Sequence, residues 1–376
     1  MPLPKELASF FDTFEQLDDP RVDRTKYYSV AEILLVTVCG VAAGCDGWED
    51  IELFAKQRLD FLRQYQPFTY GIPSDDTLRR FFRAVDPAQF QRLFAQWMAQ
   101  SLESEASDRT IAIDGKTLRG SADEVKRALH LVSAYASEER LVLAQQAVDE
   151  KSNEITAIPQ LLEALDLRGS TVTIDAMGCQ HAIADQIVAA DGHYVLGLKG
   201  NQGTLHDDVV TWFDEPPAET VLDTFEQCDK GHGRVEVRRI AVCRDVAWLH
   251  QRHLKWRSIG SIVCVESERH VGNGHSTERR YYLSSHGDDV SASSLLHAIR
   301  SHWGVENGLH WVLDMSFGED QSRIRKGNAP GNVAVIRHTV LNAINTMKPK
   351  RTSIKQMRKL AGWNNEVLAE ILGALI

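Results

Sequence analysis

The segment IAIDGKTLRGS, residues 111–121, places a single carboxylate after a short apolar run. The apolar residues 111–113 are typical of a buried β-strand, which we expect to end at Asp114. Gly115 follows, and an Asp-Gly pair is a common feature of turns. The segment alone therefore supports two interpretations, a turn at a strand end or a functional acid at the edge of a sheet.

The same pattern recurs in TVTIDAMG, residues 171–178, where an alternating β-branched run ends in Asp175 and a glycine follows three residues later. If both strands are parallel and end at one sheet edge, Asp114 and Asp175 lie close together. Neighbouring carboxylates raise each other's pKa unless a cation lies between them. Oxygen ligands of this kind suit Mg²⁺, with Mn²⁺ as a substitute.

A third acidic residue lies in IRSHWGVENGLHWVLD, residues 299–314. On a helix, His302, Glu306 and His310 are spaced four residues apart and share one face. Three interpretations stay open at this point. Glu306 is an exposed acid beside structural histidines, the two histidines form a soft metal site, or Glu306 completes a triad with the two aspartates. The spacing differs from the His-Glu-x-x-His arrangement of metalloproteases.

The length and composition are those of an ordinary globular protein. The chain has 376 residues, of which 43% are hydrophobic and 25% charged, and this length favours two or three domains. The apolar run at 33–43 is about half as long as a membrane-spanning helix requires, so we expect no membrane association. The N-terminus lacks the pattern of a secretory signal, which predicts a cytoplasmic protein.

The charge is unevenly distributed along the chain. A net charge of −10 argues against a protein that coats nucleic acid indiscriminately. Residues 321–360, however, contain ten basic residues and no acidic one. Such a run is either a solvated face or a surface that binds a polyanion.

The periodicity of apolar residues divides the chain into regions of different predicted secondary structure. Residues 1–105 are predicted to be helical, and the helices that begin near 74 and 86 form either a helix-turn-helix or a packed hairpin. Strands are then predicted to alternate with helices in a mixed sheet, followed by a β-rich insertion over about 200–290 and a helix over 293–313. The last sixty residues are predicted to be helical. The predicted strands cover 110–114, 128–136, 141–148, 171–175 and 193–198, and the helices between them 155–166 and 179–190.

Taken in order, seven segments resemble the DDE transposases of bacterial insertion sequences, in particular the H-repeat-associated type. They are AIDGK (112–116), KSNEITAIPQLL (151–162), VTIDAMGCQ (172–180), LKGNQ (198–202), KGHGRVE (230–236), RYYLSS (280–285) and IRSHWGVENGLHWVLDMSFGEDQSR (299–323). The resemblance extends over essentially the whole chain, including GIPSDDTLRRFF at 71–82.

The resemblance implies an α/β fold with an RNase H-like mixed-sheet catalytic core at 106–376. A β-rich insertion interrupts this core, and helical regions flank it, with a basic helical C-terminal part over about 315–376. The N-terminal domain, 1–105, is then a transposase-associated helical domain, and its part in DNA binding stays open at this point. The first acid of the family maps onto Asp114, the second onto Asp175 and the third onto Glu306. A small residue at Gly115 would let a metal ion and a phosphate approach.

The activity implied by the resemblance is Mg²⁺-dependent cleavage and strand transfer of double-stranded DNA through two metal ions. The implied DNA partners are terminal inverted repeats and target DNA, bound by a homodimer in a synaptic complex at the nucleoid. Two alternatives stay open: a DDE-type nuclease without strand transfer, and an inactive transposase-derived DNA-binding protein.

The chain departs from the broader family around its third acid. Related transposases carry Tyr-x2-Arg-x3-Glu-x6-Lys there, whereas this chain has Ile299, His302, Glu306 and Leu313. The phosphate contacts of the missing residues therefore do not carry over, and we consider Arg300, His302 and His310 as substitutes. Trp303 either stacks on a DNA base or packs into a core. The other residues that we predict to contact DNA are Lys199, Lys230, His232, Arg234, Arg323, Arg325 and Lys326.

Overall fold

The computed structural model describes residues 3–102, 109–122, 127–148, 153–231, 233–272 and 274–375. Within the described residues, no helix combines the length and the apolar character needed to cross a bilayer.

The N-terminal region is helical, as the sequence predicts. The first helices are α1 (Lys5–Phe14), α2 (Val30–Ala42), α3 (Trp48–Gln57), α4 (Leu59–Leu62), α5 (Asp75–Ala84) and α6 (Pro87–Ser101).

Helices α5 and α6 follow one another along the chain and pack against different neighbours: α5 against α3, α6 against α1, and both against the long C-terminal helix. Ser74 caps α5, and Asp86 caps α6 with a proline at the first helical position. The aromatic stripe of α6, including Phe94 and Trp97, is fully buried in a core that also contains Ile111 of the sheet. Helix α6 packs against the third strand and against the long C-terminal helix. Helix α6 is therefore a core helix whose aromatic face is buried inside the protein.

A mixed sheet forms the centre of the molecule. In the described residues it has nine strands in the order β3-β2-β1-β4-β5-β9-β8-β7-β6. Strand β1 pairs antiparallel with β2 and parallel with β4, which in turn pairs parallel with β5. This arrangement confirms the predicted RNase H-like mixed sheet. The strands are β1 (Thr110–Leu118), β2 (Leu129–Ala136), β3 (Leu141–Ala147), β4 (Thr171–Ile174), β5 (His193–Leu198), β6 (Asp223–Gly231), β7 (Arg234–Cys243), β8 (Ser261–Val271) and β9 (Gly274–Ser284).

The expectation that β1 ends at Asp114 is wrong. The strand continues to Leu118, because β2 runs alongside it and pairs with every residue from 111 to 118. Asp114 therefore lies in the middle of a strand, opposite Ser133. Strand β4 ends at Ile174, so that Asp175 is the first residue after it.

The predicted β-rich insertion is present and prolongs the core sheet. Its antiparallel strands β6–β9 join the core because β9 pairs with β5, from Val195 opposite Ser284 to Leu198 opposite Tyr281. The helices between these strands and in the core are α7 (Glu154–Glu163), α8 (His181–Ala189), α9 (Thr204–Asp214) and α10 (Ala247–Arg252).

The helix predicted over 293–313 is interrupted. Helix α11 (Ala292–His302) and helix α12 (Trp311–Phe317) flank a π-helical turn over Glu306–His310. Such turns are rare and frequently lie at functional sites. The chain ends with α13 (Ala329–Met347), α14 (Ile354–Trp363) and α15 (Asn365–Gly373).

Two residues of the basic run 321–360 are buried and form part of the core. Arg337 donates to Glu319 at 3.2 Å and to Ser322 at 3.0 Å. Arg358 donates to the carbonyl oxygen of Val41 at 2.9 Å and lies over the ring of Phe317. The run is therefore not one continuous solvated or polyanion-binding surface, because these two guanidinium groups bind partners inside the protein.

Candidate active site

Three carboxylates from three different elements line one cleft. Asp114 comes from the middle of β1, Asp175 follows β4, and Glu306 begins the π-helical turn. The cleft has a volume of about 350 Å³. Because β1 and β4 pair in parallel, with Ile113 beside Ile174, the two aspartates occupy neighbouring positions at the same level of the sheet. The structure thus brings the three predicted acids together.

The carboxylate of Asp175 is oriented by the turn that follows β4. Its Oδ1 accepts the backbone N–H of Met177 at 2.9 Å and that of Gly178 at 3.4 Å. A side chain at position 178 would collide with Ile174 and lie 2.9 Å from Ile158, so the turn requires glycine. The second carboxylate oxygen has no hydrogen bond to a described residue and is available to a ligand.

The electrostatic environment of Asp114 is unfavourable for its charge. Burial raises the pKa of Asp114 to about 7, against the effect of the Gly115 N–H, which donates to Oδ1 at 2.9 Å. The negative charges of Glu154, Asp175 and Glu306 add to the increase in pKa. A cation bound between these carboxylates would remove most of this cost.

A pair of titratable groups that was not among the predicted site residues lies beside Gly115. The Nε2 atom of His130 and a carboxylate oxygen of Glu154 are 2.6 Å apart. A β-carbon at Gly115 would collide with Glu154 and lie 2.5 Å from His130 Nε2. Glycine at position 115 therefore leaves room for this pair. The expected approach of a metal ion and a phosphate stays a prediction. Glu154 belongs to the KSNEITAIPQLL segment that resembles the transposase family, and this membership could have identified it as a candidate site residue.

Burial lowers the pKa of both histidines beside Glu306. Burial, together with the charge of Lys116, lowers the pKa of His310 to about 4. Its Nδ1 lies 3.6 Å from Asp114 Oδ2, and its Nε2 has no hydrogen-bond partner among the described residues. The pKa of His302 is also lowered by burial, and its Nδ1 lies 3.1 Å from the hydroxyl of Thr173.

The close groups of potential metal ligands among the described residues do not lie in the cleft. In the described part of the chain, the groups of three ligand atoms within 4.8 Å of one another lie elsewhere, at His193, His286 and Asp289 and at Glu268, His270 and His275. Neither group contains His302 or His310, the two histidines that the soft-metal interpretation requires. Asp114, Asp175 and Glu306 do not form such a group either, so their ligand atoms are not all within 4.8 Å of one another.

One wall of the cleft is formed by β9, a position that the sequence pattern does not predict for this strand. Arg279, Arg280, Tyr281 and Tyr282 line it. The guanidinium carbon of Arg280 lies 5.1 Å from the ring centre of Trp303, which is 47% exposed. Trp303 therefore does not pack into a core. The RYYLSS segment contained the signal, but its strand alternation does not show which face meets the acids.

The predicted phosphate contacts are distributed over several surfaces. Lys199, His302 and Trp303 line the cleft. Arg300 instead forms an ion pair with Asp229 at 2.9 Å, and Arg325 donates to the carbonyl oxygen of Gly120. His232 lies outside the described residues. The remaining predicted residues are exposed away from the cleft: Lys230, Arg234, Arg323 and Lys326.

Comparison with known proteins gives consistent matches along the chain. The family model described as "Transposase DDE domain" matches residues 105–343, and the model described as "DDE_Tnp_1-associated" matches residues 11–98. Among solved structures, a piggyBac transposase synaptic complex with hairpin DNA is similar with a TM-score of 0.46 at 10% identity. That similarity covers 99% of this chain and 81% of the other.

Several curated relatives are similar over nearly the full length of the chain, and another is similar over a short part of it. "Putative transposase YncI" of Escherichia coli O157:H7 is 39% identical, over 98% of this chain and 95% of that protein. "H repeat-associated putative transposase YhhI" of Escherichia coli K12 is 38% identical over 98% of each chain. "Inactive transposase YbfQ" of the same strain is 51% identical over 20% of this chain and 89% of its own. With a transposase model over most of its length and such relatives, the chain belongs to the DDE transposase family.

Proposed function

We propose that the protein is an active transposase that cuts and rejoins DNA at the ends of an insertion sequence, with two Mg²⁺ ions held by Asp114, Asp175 and Glu306. The observation that carries the proposal is the convergence of these carboxylates in one cleft, where the pKa of Asp114 rises to about 7. Holding like charges together destabilises the empty protein. Cation binding would compensate for that cost.

The donor set fits Mg²⁺, or Mn²⁺ in its place. All three predicted ligands offer carboxylate oxygen, which hard divalent cations prefer. One oxygen of Asp175 is fixed by two backbone N–H groups, so that the other is directed to a ligand. When bound, the ions would activate water or a DNA 3′-hydroxyl and stabilise the leaving oxygen.

The residues of the chain would then position DNA and balance its charge. Lys199 lines the same cleft as the three acids, and its cationic group suits a phosphate beside the cut. Arg279 and Arg280 also line the cleft, where they form ion pairs with Glu266 and Glu278. Trp303 offers an exposed ring beside them. Joining two element ends to target DNA further requires two copies of the active site, so we propose a homodimer that acts on the nucleoid in the cytoplasm.

Metal-dependent nicking of a supercoiled plasmid tests the proposal. The plasmid carries the DNA that flanks the gene in its host, as the source of element ends. The wild-type protein is expected to nick it with Mg²⁺ or Mn²⁺ and not with EDTA. Binding of the ends without nicking under either metal would favour the inactive DNA-binding alternative.

A melting experiment with and without Mg²⁺ tests the metal site independently of activity. Without metal, the stabilising contribution of the protonated Asp114 is expected to fall as pH rises from about 4 to about 7, because the folded chain retains the proton that the unfolded chain releases. This contribution is measured as the difference in stability between the wild type and Asp114→Asn at each pH. Saturating Mg²⁺ should raise the melting temperature by a few degrees at pH 8 and less at pH 6, since protons compete with the ion.

The variant Asp114→Asn should be more stable than the wild type at pH 8 without metal, and Mg²⁺ should stabilise it less. Asp12→Asn on the exposed face of α1 removes the same charge and should behave like the wild type. An equal response of all three proteins to Mg²⁺ would contradict the assignment of Asp114 as a ligand.

Lys199→Ala is expected to weaken DNA binding without changing sequence preference. Removing one phosphate contact should reduce the slope of log K against log salt by about 0.9. Fluorescence anisotropy with an end duplex at several salt concentrations, in EDTA, measures this slope. Lys5→Ala, at an exposed position on α1, is the matched control. An unchanged slope in Lys199→Ala would place Lys199 outside the DNA path.

A further inference from the structure

A second cavity lies on the other side of the helical segment that carries Glu306. Its volume is about 680 Å³, and it is bounded by the end of β2, the π-helical turn with α12, and the connection from α13 to α14. Asn307, Gly308 and Trp311 face this groove, whereas Trp303 and Glu306 face the catalytic cleft. The two sites therefore lie about one helix diameter apart, on the order of 10 Å.

The groove is basic although the protein is acidic. Arg140, Lys348 and Lys355 line it, and no aspartate or glutamate among the described residues does. None of these three side chains forms an ion pair with a described residue, whereas most arginines of the β-rich insertion are paired with acids. Three unpaired cations around one cavity, in a chain of net charge −10, point to an anionic ligand.

The floor of the groove contains a buried hydroxyl group without a partner. Tyr135 of β2 is 1% exposed, and its hydroxyl forms no hydrogen bond to a described residue. Burial raises the pKa of Tyr135 to about 12, so the group is a hydrogen-bond donor at neutral pH. A β-carbon at Gly308 would lie 2.5 Å from this oxygen, so glycine keeps the space above it open. A buried polar group without a partner costs stability unless a ligand satisfies it.

The wall of the groove offers a flat aromatic surface. Trp311 is 58% exposed and Met315, one helical turn further on, is 55% exposed. Large apolar side chains exposed beside unpaired cations are typical of sites that bind a planar group attached to an anion. The combination of a stacking surface, cations and a donor matches the base and the phosphate of a nucleotide.

We infer that this groove binds a nucleotide of a DNA strand, with its base on Trp311, its phosphates near Arg140, Lys348 and Lys355, and a polar atom on the Tyr135 hydroxyl. The choice of DNA as the source of the nucleotide rests on the proposed function. The groove and the cleft are lined by the same helical segment, so a DNA strand in the groove would lie close to the catalytic carboxylates. The groove would thus hold single-stranded DNA next to the site of cutting.

Binding of a fluorescein-labelled oligothymidine 12-mer to the full-length protein, in EDTA, tests the inference. Trp311→Ala should raise the dissociation constant about tenfold. The double variant Lys348→Ala/Lys355→Ala should reduce the salt slope by about 1.4. Tyr135→Phe should weaken binding severalfold without lowering the melting temperature, because the lost hydroxyl has no partner in the free protein.

Matched controls remove the same groups outside the groove. Trp363→Ala removes a tryptophan that is 74% exposed, and Lys350→Ala/Lys359→Ala removes two exposed charges. Both controls should bind as the wild type does. Wild-type affinity in Trp311→Ala and in the double lysine variant, or equal losses in the controls, would overturn the inference. Competition by thymidine monophosphate as strong as by the oligonucleotide would also overturn it, in favour of a free nucleotide.

The outcome is separable from that of the proposed function. Glu306→Gln changes the cleft and leaves the groove intact, so it should bind the oligonucleotide like the wild type. Oligonucleotide binding through Trp311 by a protein that does not cut DNA would contradict the proposed function and support the groove. Metal-dependent cutting by the wild type, together with normal oligonucleotide binding by the groove variants, would support the proposed function and contradict the groove.

Discussion

Replacing Glu306 with glutamine is expected to abolish metal-dependent DNA cutting and to leave DNA binding intact. The substitution keeps the size and helical preference of the side chain and removes the charge that completes the set of metal ligands. Because metal ions stabilise the transition state by several kcal/mol, we expect a loss of about 10³-fold or more in the cutting rate. Single-turnover nicking with Mg²⁺ measures this rate, and anisotropy in EDTA measures binding.

The matched control is Glu370→Gln, which makes the same change on the exposed face of α15. It should cut at the wild-type rate. The affinity of Glu306→Gln for an end duplex should equal or slightly exceed that of the wild type, because one negative charge near the DNA is lost. Cutting by Glu306→Gln at a rate near that of the wild type would contradict its assigned role.

The second large effect is expected on stability, at Glu319. This residue is 2% exposed and accepts from Lys116 at 3.0 Å and from Arg337 at 3.2 Å, so that it joins β1 to α13. Glu319→Ala leaves both cations buried without this partner. We expect a loss of about 3–5 kcal/mol in the free energy of unfolding. Urea denaturation at pH 7 measures it, and Glu370→Ala should change stability by less than about 0.5 kcal/mol.

The effect of Glu319 should depend on pH in one direction. Burial opposes its charge, but Arg337 and Lys116 outweigh burial and hold the pKa of Glu319 below its ordinary value. The unfolded chain therefore takes up this proton before the folded chain does. The difference between wild type and Glu319→Ala should be complete above pH about 4.5 and shrink as the pH falls through the lowered pKa. A difference that stays constant with pH would contradict this charge-based account.

Local patterns in the sequence predicted the parts of the fold that depend on neighbouring residues. A short apolar run located β1 and an alternating β-branched run located β4, and the parallel pairing of these strands places Asp114 and Asp175 side by side. The length of β1 was not predictable in this way. Asp114 and Gly115 have the local character of a turn, but β2 pairs with them and continues the strand. Cross-strand hydrogen bonds here prevail over a local preference.

The third acid shows the same limit on a helix. A regular α-helix places His302, Glu306 and His310 on one face, whereas the π-helical turn over Glu306–His310 shifts the later residues around the axis. As a result, His310 faces Asp114, and Trp311 faces the second groove. No simple spacing rule predicts such an irregular turn, because it depends on what the turn contacts.

Partners far apart in sequence account for the rest. Arg358 hydrogen-bonds to Val41, and Arg337 to Glu319, so neither is on the basic surface that their neighbours suggested. The basic groove joins Arg140 to Lys348 and Lys355, which lie more than two hundred positions later in the chain. The linear sequence contains the charges and their spacing, whereas the burial and pairing of these side chains depend on tertiary packing.

The most direct test of the central claim is a strand-transfer reaction. The purified wild-type protein is incubated with a duplex that carries one element end with a free 3′-hydroxyl, together with a supercoiled plasmid as target. With Mg²⁺ we expect the duplex to become covalently joined to the plasmid, and we expect no joining in EDTA or with Glu306→Gln. Absence of joined products from a wild-type protein that binds the duplex, or joining that persists in Glu306→Gln, would contradict a transposase that acts through these three carboxylates.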